Sequence, residues 1–330
     1  MSDNLSKYIL TTLVYYDVMD YPMTVFEVWK YLTKISPEVA EKYSLAEVMK
    51  ELEEDKLKKI IEEYRGYYFL KGCLPATLRS PDTPTQAMRA GVAMRAGSEL
   101  VPQRIERNKI AEKKFRIVRQ VVWWLRFAPF ARGVAVTGRM AMKNAEHKSD
   151  LDLLIILEKN RMFIGRLLVT LLVHLLGKRR HGNKIKDRIC LNHFVATKCC
   201  VSGRDIFASH EYAFMVPIFG AKAFRKFQKN NPWIQGFKIN FEPADGNLKK
   251  ISDSHVSKFV RENLEKILHA DFIEQKMEKW QQKRIANNPK SKQAGGIIIC
   301  SPEELAFWPN FENQGPKVFD SFQERLAELR

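Results

Sequence analysis

The stretch TGRMAMKNAEHKSDLDLLIIL, residues 137–157, decides how the central part of this chain folds. The apolar run after Asp152 predicts a β-strand that is buried on both faces, as in the centre of a sheet. Asp150 and Asp152 open this strand two positions apart, so their side chains leave the same face. Buried carboxylates are costly unless they are paired or bind a metal. The sequence therefore predicts either two solvated residues at a strand end or a site for a hard cation such as Mg²⁺.

A glycine upstream of the two aspartates predicts a second functional element. Gly138 follows the predicted strand Val134-Ala135-Val136 and lets the backbone turn closely into a short helix that begins near Met140. Backbone amides at such a helix start can hold a phosphate group. A phosphate-binding turn that faces a carboxylate-bound metal is the arrangement that phosphoryl or nucleotidyl transfer needs.

Together these residues resemble the motif of the polymerase-β-like nucleotidyltransferase superfamily. In that superfamily a strand, a Gly-Ser pair and a short helix precede Asp-x-Asp at the start of the next strand, and the matching residues here are Gly138, Arg139, Asp150 and Asp152. The wider chain is similar to a prokaryotic group of nucleotidyltransferase-domain proteins. That similarity is carried by YPMT (21–24), YYFLKG (67–72), TG-x-x-AM-x-NA (137–145) and SDLDLLII (149–156).

The resemblance implies a Mg²⁺-dependent nucleotidyltransferase that moves a nucleoside monophosphate from a nucleoside triphosphate to an unknown acceptor hydroxyl. Asp150 and Asp152 would be the catalytic residues and would bind two Mg²⁺ ions. The triphosphate would be held by residues of the turn and the loop that follows it: Gly138, Arg139, Lys143, Asn144 and Ser149.

Two departures from the superfamily pattern leave an alternative open. Arg139 stands where the superfamily has serine, and the next predicted strand, Ile189 to Val195, carries no acid for a third carboxylate. Asn192 lies nearest that position and is the predicted third metal ligand, with Asp187 and Glu211 as possible substitutes. The alternative is a catalytically degenerate member of the fold that binds nucleotide or RNA without turnover.

The pattern of segments predicts an α+β fold with a central nucleotidyltransferase-type mixed β-sheet and flanking helices. The basic turn at residues 177–182 leads into the third strand of this sheet, and the chain after it reads as mainly helical, at about 204–230 and 253–285. Trp123 and Trp124 are expected in the core. The predicted regions are a winged-helix-like domain (1–75), a basic linker and helix (76–130), a nucleotidyltransferase core (131–203) and a mainly helical C-terminal domain (204–330).

Capping boxes and a hairpin mark the N-terminal region as winged-helix-like. Thr24 with Glu27, and Ser44 with Glu47, are spaced to begin helices, and a turn at Arg65-Gly66 separates two short strands. The predicted third helix is acidic, which argues against contact with DNA phosphates. DNA is therefore an unlikely partner of this region, and a winged-helix DNA-binding regulator ranks only as the second alternative.

Net charge and composition limit the classes of partner that the protein is expected to bind. The formal net charge is +17, while residues 1–75 carry ten Lys and Arg against thirteen Asp and Glu, so the positive charge lies in the rest of the chain. Such a field attracts a nucleoside triphosphate, RNA or another polyanion, although it also serves solubility alone.

The longest apolar stretch, Met162 to Leu176, is too short to span a membrane. Five scattered cysteines predict free thiols and a cytoplasmic protein.

Overall fold

The computed structural model describes residues 2–37, 41–71, 97–242, 250–292, 296–308 and 317–328, so much of the predicted linker lies outside the described residues. The chain forms a mixed α+β fold with a three-stranded and a six-stranded sheet. Its strands are β1 Met23–Thr24, β2 Ile61–Tyr64, β3 Tyr67–Leu70, β4 Ala131–Val136, β5 Leu151–Leu157, β6 Ile189–Ala196, β7 Val216–Phe219, β8 Ile297–Cys300 and β9 Glu304–Trp308. Its α-helices are α1 Ser2–Asp17, α2 Val25–Lys30, α3 Leu45–Leu52, α4 Asp55–Lys58, α5 Gly97–Leu125, α6 Gly138–Ala141, α7 Met162–Leu175, α8 Ile206–Phe214, α9 Ala221–Asn230, α10 Ile234–Phe237, α11 His255–Leu268, α12 Asp271–Ala286 and α13 Lys317–Glu328.

The N-terminal region folds as the local signals predict. Thr24 and Ser44 each accept a hydrogen bond from the backbone of the glutamate three residues later, and that glutamate accepts one in return, so both capping boxes are present. β2 and β3 form an antiparallel hairpin, and β1 pairs with β3 on its other side. The helices and the small sheet are thus in place, and the winged-helix assignment stays a prediction.

The six-stranded sheet contains the predicted buried strand at its centre. The strand order is β7-β4-β5-β6-β9-β8, with β5 and β6 parallel and all other neighbours antiparallel. Every residue of β5 is buried except Asp152, which is partly accessible. The apolar run after Asp152 therefore lies between two neighbouring strands and is covered on both faces, as its composition predicts.

The C-terminal region contributes more to this sheet than a mainly helical segment would. The expected helix at 204–230 is interrupted by β7, and the segment 253–285 forms two helices, α11 and α12. β7 pairs with β4, β9 pairs with β6, and β8 extends the sheet beyond β9. These strands cover backbone groups that would otherwise leave β4 and β6 as open edges. The sheet thus extends past residue 203.

The helix α12 is fixed on α7 by side-chain hydrogen bonds. The N-cap residue of α7, Arg161, makes no capping side-chain bond, and the Glu274 carboxylate accepts from the backbone N–H groups of Phe163 and Ile164 at 2.8 and 3.0 Å instead. Gln281 Nε2 donates to the Phe163 carbonyl at 2.6 Å. These bonds satisfy N-terminal amides of α7 and hold the two helices in one register.

Some sequence expectations about exposure are corrected. Trp123 and Trp124 were expected in the core, but 42% and 48% of their surfaces are exposed at the end of α5. The thiols of Cys190, Cys199, Cys200 and Cys300 are free, and Cys73 lies outside the described residues. Among the helices that the structure describes, none is long and apolar enough to cross a membrane.

Candidate functional site

The motif residues meet at one edge of the central sheet because of the strand directions. β4 runs antiparallel to β5, and β6 runs parallel to it, so the C-terminal end of β4 and the N-terminal ends of β5 and β6 coincide. In the observed register Asp152 stands beside Cys190. The turn at Gly138, the aspartates before and within β5, and the start of β6 therefore surround one point.

The two aspartates form a compact acidic cluster. One carboxylate oxygen of Asp150, one of Asp152 and the Cys190 thiol sulfur all lie within 4.8 Å of one another. The Asp150 side chain is 16% exposed, so it is largely removed from water. Two carboxylates this close repel each other in a region of low dielectric, and a bound cation relieves that repulsion.

A third carboxylate, that of Glu211 on α8, lies near the two aspartates. Its Oε2 atom accepts a hydrogen bond from the Gly138 N–H at 3.1 Å. Asp187, the other sequence candidate, instead forms an ion pair with Lys114, with 2.6 Å between Oδ1 and Nζ. It does not line the cavity. The third acid near Asp152 therefore lies on a helix that follows β6 in sequence, and β6 itself carries none.

Burial and neighbouring charges shift the pKa values of two of these acids. Burial, and after it Asp150 and Glu211, raise the pKa of Asp152 from its ordinary value of 3.8 to about 8. Burial raises the pKa of Glu211 to about 7, against the opposing effect of the Gly138 N–H. Both shifts mean that the folded protein disfavours the fully ionised cluster when no cation is present.

Gly138 is the residue that lets the turn approach the acids. Its φ is +63°, in the left-handed region that favours glycine, and a Cβ atom added there would lie 3.0 Å from Asp152 Oδ2. A side chain at this position would therefore press on the carboxylate and strain the backbone. The backbone at Gly138 therefore makes the close turn that the sequence predicts.

Asn192 and Cys190 lie on β6 and flank Asp152. Asn192 Nδ2 donates to Asp152 Oδ1 at 3.1 Å, and its Oδ1 atom is buried with no hydrogen-bond partner in the described part of the chain. Burial, followed by Asp152 and Asp150, raises the pKa of the Cys190 thiol well above its usual range. The thiol therefore stays protonated, which makes it a poor ligand for a hard cation.

One of the two aspartates, Asp150, already forms an ion pair with an arginine. Arg180 Nη1 forms an ion pair with Asp150 Oδ2 and also contacts the Cys190 sulfur at 3.6 Å. Arg180 belongs to the basic turn that precedes β6, and the parallel pairing of β5 and β6 brings this turn to the Asp150 end of the sheet. A cation that binds Asp150 through this oxygen must displace the guanidinium group.

Of the predicted triphosphate contacts, only some line the cavity. Gly138, Arg139 and Ser149 do. Arg139 is paired with Glu146 at 3.3 Å, and Ser149 Oγ donates to the Glu146 carbonyl.

Lys143 and Asn144 lie outside the cavity, which corrects their predicted contact with the nucleotide. Lys143 pairs with Glu112 at 2.8 Å on the outer surface. Asn144 is fully buried, and its amide bonds to the Met19 carbonyl and to Arg107. Asn144 therefore holds the loop against the N-terminal region, and its side chain is not available to a ligand.

A group of arginines that sequence reasoning missed stands on the β6 side of the acids. Arg166 on α7, Arg179 in the basic turn and Arg284 on α12 all line the cavity. The signal that points to one of them is topological: a basic turn before a strand that runs parallel to β5 must lie at the Asp150 edge. Arg166 and Arg284 are isolated in the sequence, and only the packing of α12 on α7 brings them together.

These residues surround one open cavity of about 1220 Å³. Its floor is the edge of the central sheet with the three carboxylates. Its walls come from α1, α5, α7, α8 and α12, together with the basic turn. A cavity of this size accommodates a nucleotide together with a second small ligand.

Comparisons with known proteins add no relative to this geometry. A scan against protein-family models, a search of curated proteins and a search of solved structures each found no match. The resemblance to nucleotidyltransferases therefore rests on the motif residues themselves.

Proposed function

We propose that this protein is a Mg²⁺-dependent nucleotidyltransferase, with Asp150, Asp152 and Glu211 as the acidic centre of the site. The single observation that carries the proposal is the pair of Asp150 and Asp152 carboxylates, with oxygen atoms within 4.8 Å of each other, at the floor of a cavity that Glu211 and several arginines also line. The nucleotidyltransferase-type sheet and the winged-helix-like N-terminal region are parts of the same proposal. The strand order and the Gly138 turn support it.

The donor set fits a hard divalent cation. Asp150 and Asp152 present oxygen atoms within 4.8 Å of each other, and burial, followed by repulsion from Asp150, raises the pKa of Asp152. The buried Oδ1 atom of Asn192 lacks a partner among the described residues and is a further oxygen donor beside Asp152. Asp150 and Asp152 would hold the metal, with Glu211 as the third carboxylate nearby. When bound, Mg²⁺ would neutralise triphosphate charge and polarise the acceptor hydroxyl.

The protein's own groups position the reactants. The Gly138 turn brings the backbone close to Asp152, and Arg139 supplies a positive charge at the same wall of the cavity. In the proposed reaction the acceptor oxygen forms a bond to the α-phosphorus, the bond to the β-phosphate oxygen breaks, and pyrophosphate leaves with that electron pair. The proton of the acceptor hydroxyl passes to a carboxylate of the cluster or to water.

The positive charge of the chain supports a polyanionic partner. The described cavity is open to solvent and carries arginines, and the net charge of +17 raises the local concentration of anions around the protein. We propose a nucleoside triphosphate as one substrate and RNA or another phosphate-rich molecule as the second partner. The acidic α3 helix argues against DNA binding through the N-terminal region.

A second candidate function is favoured by two specific contacts. Arg180 is paired with Asp150. The Gly138 N–H, which the sequence suggests as a hydrogen-bond donor to a phosphate group, donates to Glu211 instead. Both contacts satisfy the site without a ligand. A degenerate protein of the same fold would keep these contacts and bind a nucleotide or RNA without transferring it.

The direct test is transfer of label from an α-³²P-labelled triphosphate. The full chain is incubated with Mg²⁺, each of the four ribonucleoside triphosphates in turn, and hydroxyl-bearing acceptors including an oligoribonucleotide and a sugar phosphate. We expect label in an acceptor and release of pyrophosphate, both abolished by Asp150→Asn with Asp152→Asn. Asp55→Asn on α4 is the matched control, because Asp55 is exposed and does not line the cavity.

The result separates the two candidates. Mg²⁺-dependent triphosphate binding that needs both aspartates, but with no label transferred to any acceptor, identifies the degenerate binder. If the wild-type chain binds neither a triphosphate nor the oligoribonucleotide in Mg²⁺, both candidates are wrong.

A further inference from the structure

The β6 side of the cavity carries three arginines that come from separate parts of the fold. Arg166 lies on α7, Arg179 in the turn before β6 and Arg284 on α12. The bonds from α12 to the first turn of α7 fix the two helices, so Arg166 and Arg284 are held on one wall. Arg179 is anchored by its Nη1 atom, which donates to the Ile189 carbonyl at 3.3 Å.

None of these three guanidinium groups is neutralised by an acid in the described part of the chain. Arg166 Nη1 donates to the neutral Gln281 side chain at 2.6 Å, and its buried Nε has no hydrogen-bond partner. Arg166 and Arg284 also rest against aromatic rings, at 5.0 Å from Phe307 and 5.5 Å from Trp280 respectively. Arg166 and Arg179 are partly buried, and a partly buried arginine without an acid partner is costly, a cost that a bound anion relieves.

The charges also act on one another. Burial, followed by Arg179 and Arg284, lowers the pKa of Arg166 to about 10. Burial and then Arg180 lower the pKa of Arg179. The charge of Arg166 is therefore felt by, and feels, the neighbouring guanidinium groups.

Arg166, Arg179 and Arg284 form what we call the arginine wall. This wall lies apart from the Gly138 turn, where the triphosphate is proposed to bind. Gly138 and Arg139 follow β4, whereas Arg166 and Arg179 lie over β6, with the Asp152 carboxylate of β5 between the two sides. A transfer reaction needs a donor on one side of the acids and an acceptor on the other. The β6 side is therefore available to the acceptor.

We propose that Arg166, Arg179 and Arg284 form an anion-binding site for a phosphomonoester group of the acceptor, which makes the acceptor a phosphorylated molecule. Its role as an acceptor site rests on the proposed function, while the binding of the phosphomonoester does not. A phosphomonoester carries up to two negative charges and three free oxygen atoms, so it can accept hydrogen bonds from three guanidinium groups that approach from different elements. A phosphodiester in a chain presents only two such atoms.

The test measures binding of defined probes to the full chain in EDTA, so that neither a metal nor a triphosphate is needed. The probes are ribose 5-phosphate and a short 5′-phosphorylated oligoadenylate, each compared with the same molecule that lacks the phosphate. We expect phosphate-dependent binding, weakened at least about tenfold in Arg284→Gln and in Arg179→Gln. Arg116→Gln on the exposed face of α5 is the matched control and should bind as the wild type does.

Arg284 is exposed, so its substitution tests the site even if a change at the more buried Arg166 disturbs folding. The preferred probe shows whether the phosphomonoester belongs to a small sugar or to an oligonucleotide end. Equal binding of the phosphorylated and unphosphorylated probes overturns the inference, as does wild-type binding by Arg284→Gln and Arg179→Gln.

A second measurement separates this inference from the proposed function. Mg²⁺-dependent binding of a non-hydrolysable triphosphate is measured on the same variants. Retained triphosphate binding with lost probe binding supports the inference. If both are lost together, the arginines hold the triphosphate, which overturns the inference and leaves the proposed function intact. If the wild-type chain binds the probe but no triphosphate, the anion site stands and the proposed function fails.

Discussion

The acidic floor and the arginine wall of the cavity concentrate opposite charges, and they differ in how each can be relieved. The carboxylates of Asp152 and Glu211 have pKa values raised to about 8 and about 7, so protons can neutralise them near physiological pH. The Arg166 guanidinium keeps its proton there, although burial lowers its pKa to about 10. The floor should therefore respond to pH and to metal ions, and the wall only to anions and salt.

The largest effect should follow removal of both aspartates from the floor. Asp150→Asn with Asp152→Asn should weaken Mg²⁺-dependent triphosphate binding by roughly a hundredfold or more, because hard cations bind carboxylates far better than amides. Titration calorimetry with a non-hydrolysable triphosphate measures this change. The same variant should keep phosphomonoester binding at the arginine wall, and a loss of both would remove the distinction between the two sides.

Stability should depend on pH through the floor. The folded-state pKa of Asp152 lies above its ordinary value of 3.8, so in EDTA the free energy of unfolding should fall as the pH rises from about 4 to about 8. Each unit of raised pKa corresponds to about 1.4 kcal/mol. Asp152→Asn should flatten this dependence, as measured by urea unfolding at several pH values. A wild-type stability that rises over this range would contradict the raised pKa.

Arg180 connects the two sides, and its removal should favour the metal. Arg180→Ala leaves Asp150 without its ion-pair partner, so Mg²⁺ affinity in the absence of nucleotide should rise about tenfold. Arg180→Lys is the matched control, because it keeps the positive charge and should change affinity less. Weaker Mg²⁺ binding by the alanine variant would show that Arg180 supports the site rather than competing with the ion.

The smallest effect should come from the thiol in the cluster. Cys190→Ser should change Mg²⁺ affinity by less than about threefold, since the raised pKa keeps the thiol protonated and outside the ligand set. Direct titration of Mg²⁺ and of Zn²⁺ checks this. A loss of Zn²⁺ binding together with an unchanged response to Mg²⁺ would identify the cluster as a site for a softer ion.

Local patterns in the sequence predicted much of the fold. The capping boxes at Thr24 and Ser44, the hairpin at Arg65-Gly66 and the buried strand β5 all depend on residues close together in the chain. The convergence of Gly138 with Asp150 and Asp152 followed from the motif and from its strand–helix–strand context. Each of these predictions needed only propensity, periodicity and the geometry of a single turn.

The rest depended on contacts between distant segments. β7 is four residues long and contains Pro217, so its sequence gives no clear strand signal, and only its pairing with β4 makes it a strand. Glu211 reaches the acids because α8 packs beneath the Gly138 turn. Trp123 and Trp124 read as core residues, yet the surface of α5 that carries them has no covering element among the described residues.

The most direct test of the account is the location of a metal in crystals grown with Mn²⁺ and a non-hydrolysable triphosphate. Anomalous diffraction should show a Mn²⁺ peak about 2.1 Å from carboxylate oxygens of both Asp150 and Asp152, with Arg180 no longer paired to Asp150. Triphosphate bound with no anomalous peak at these carboxylates, or with the Arg180–Asp150 ion pair intact, would contradict the account.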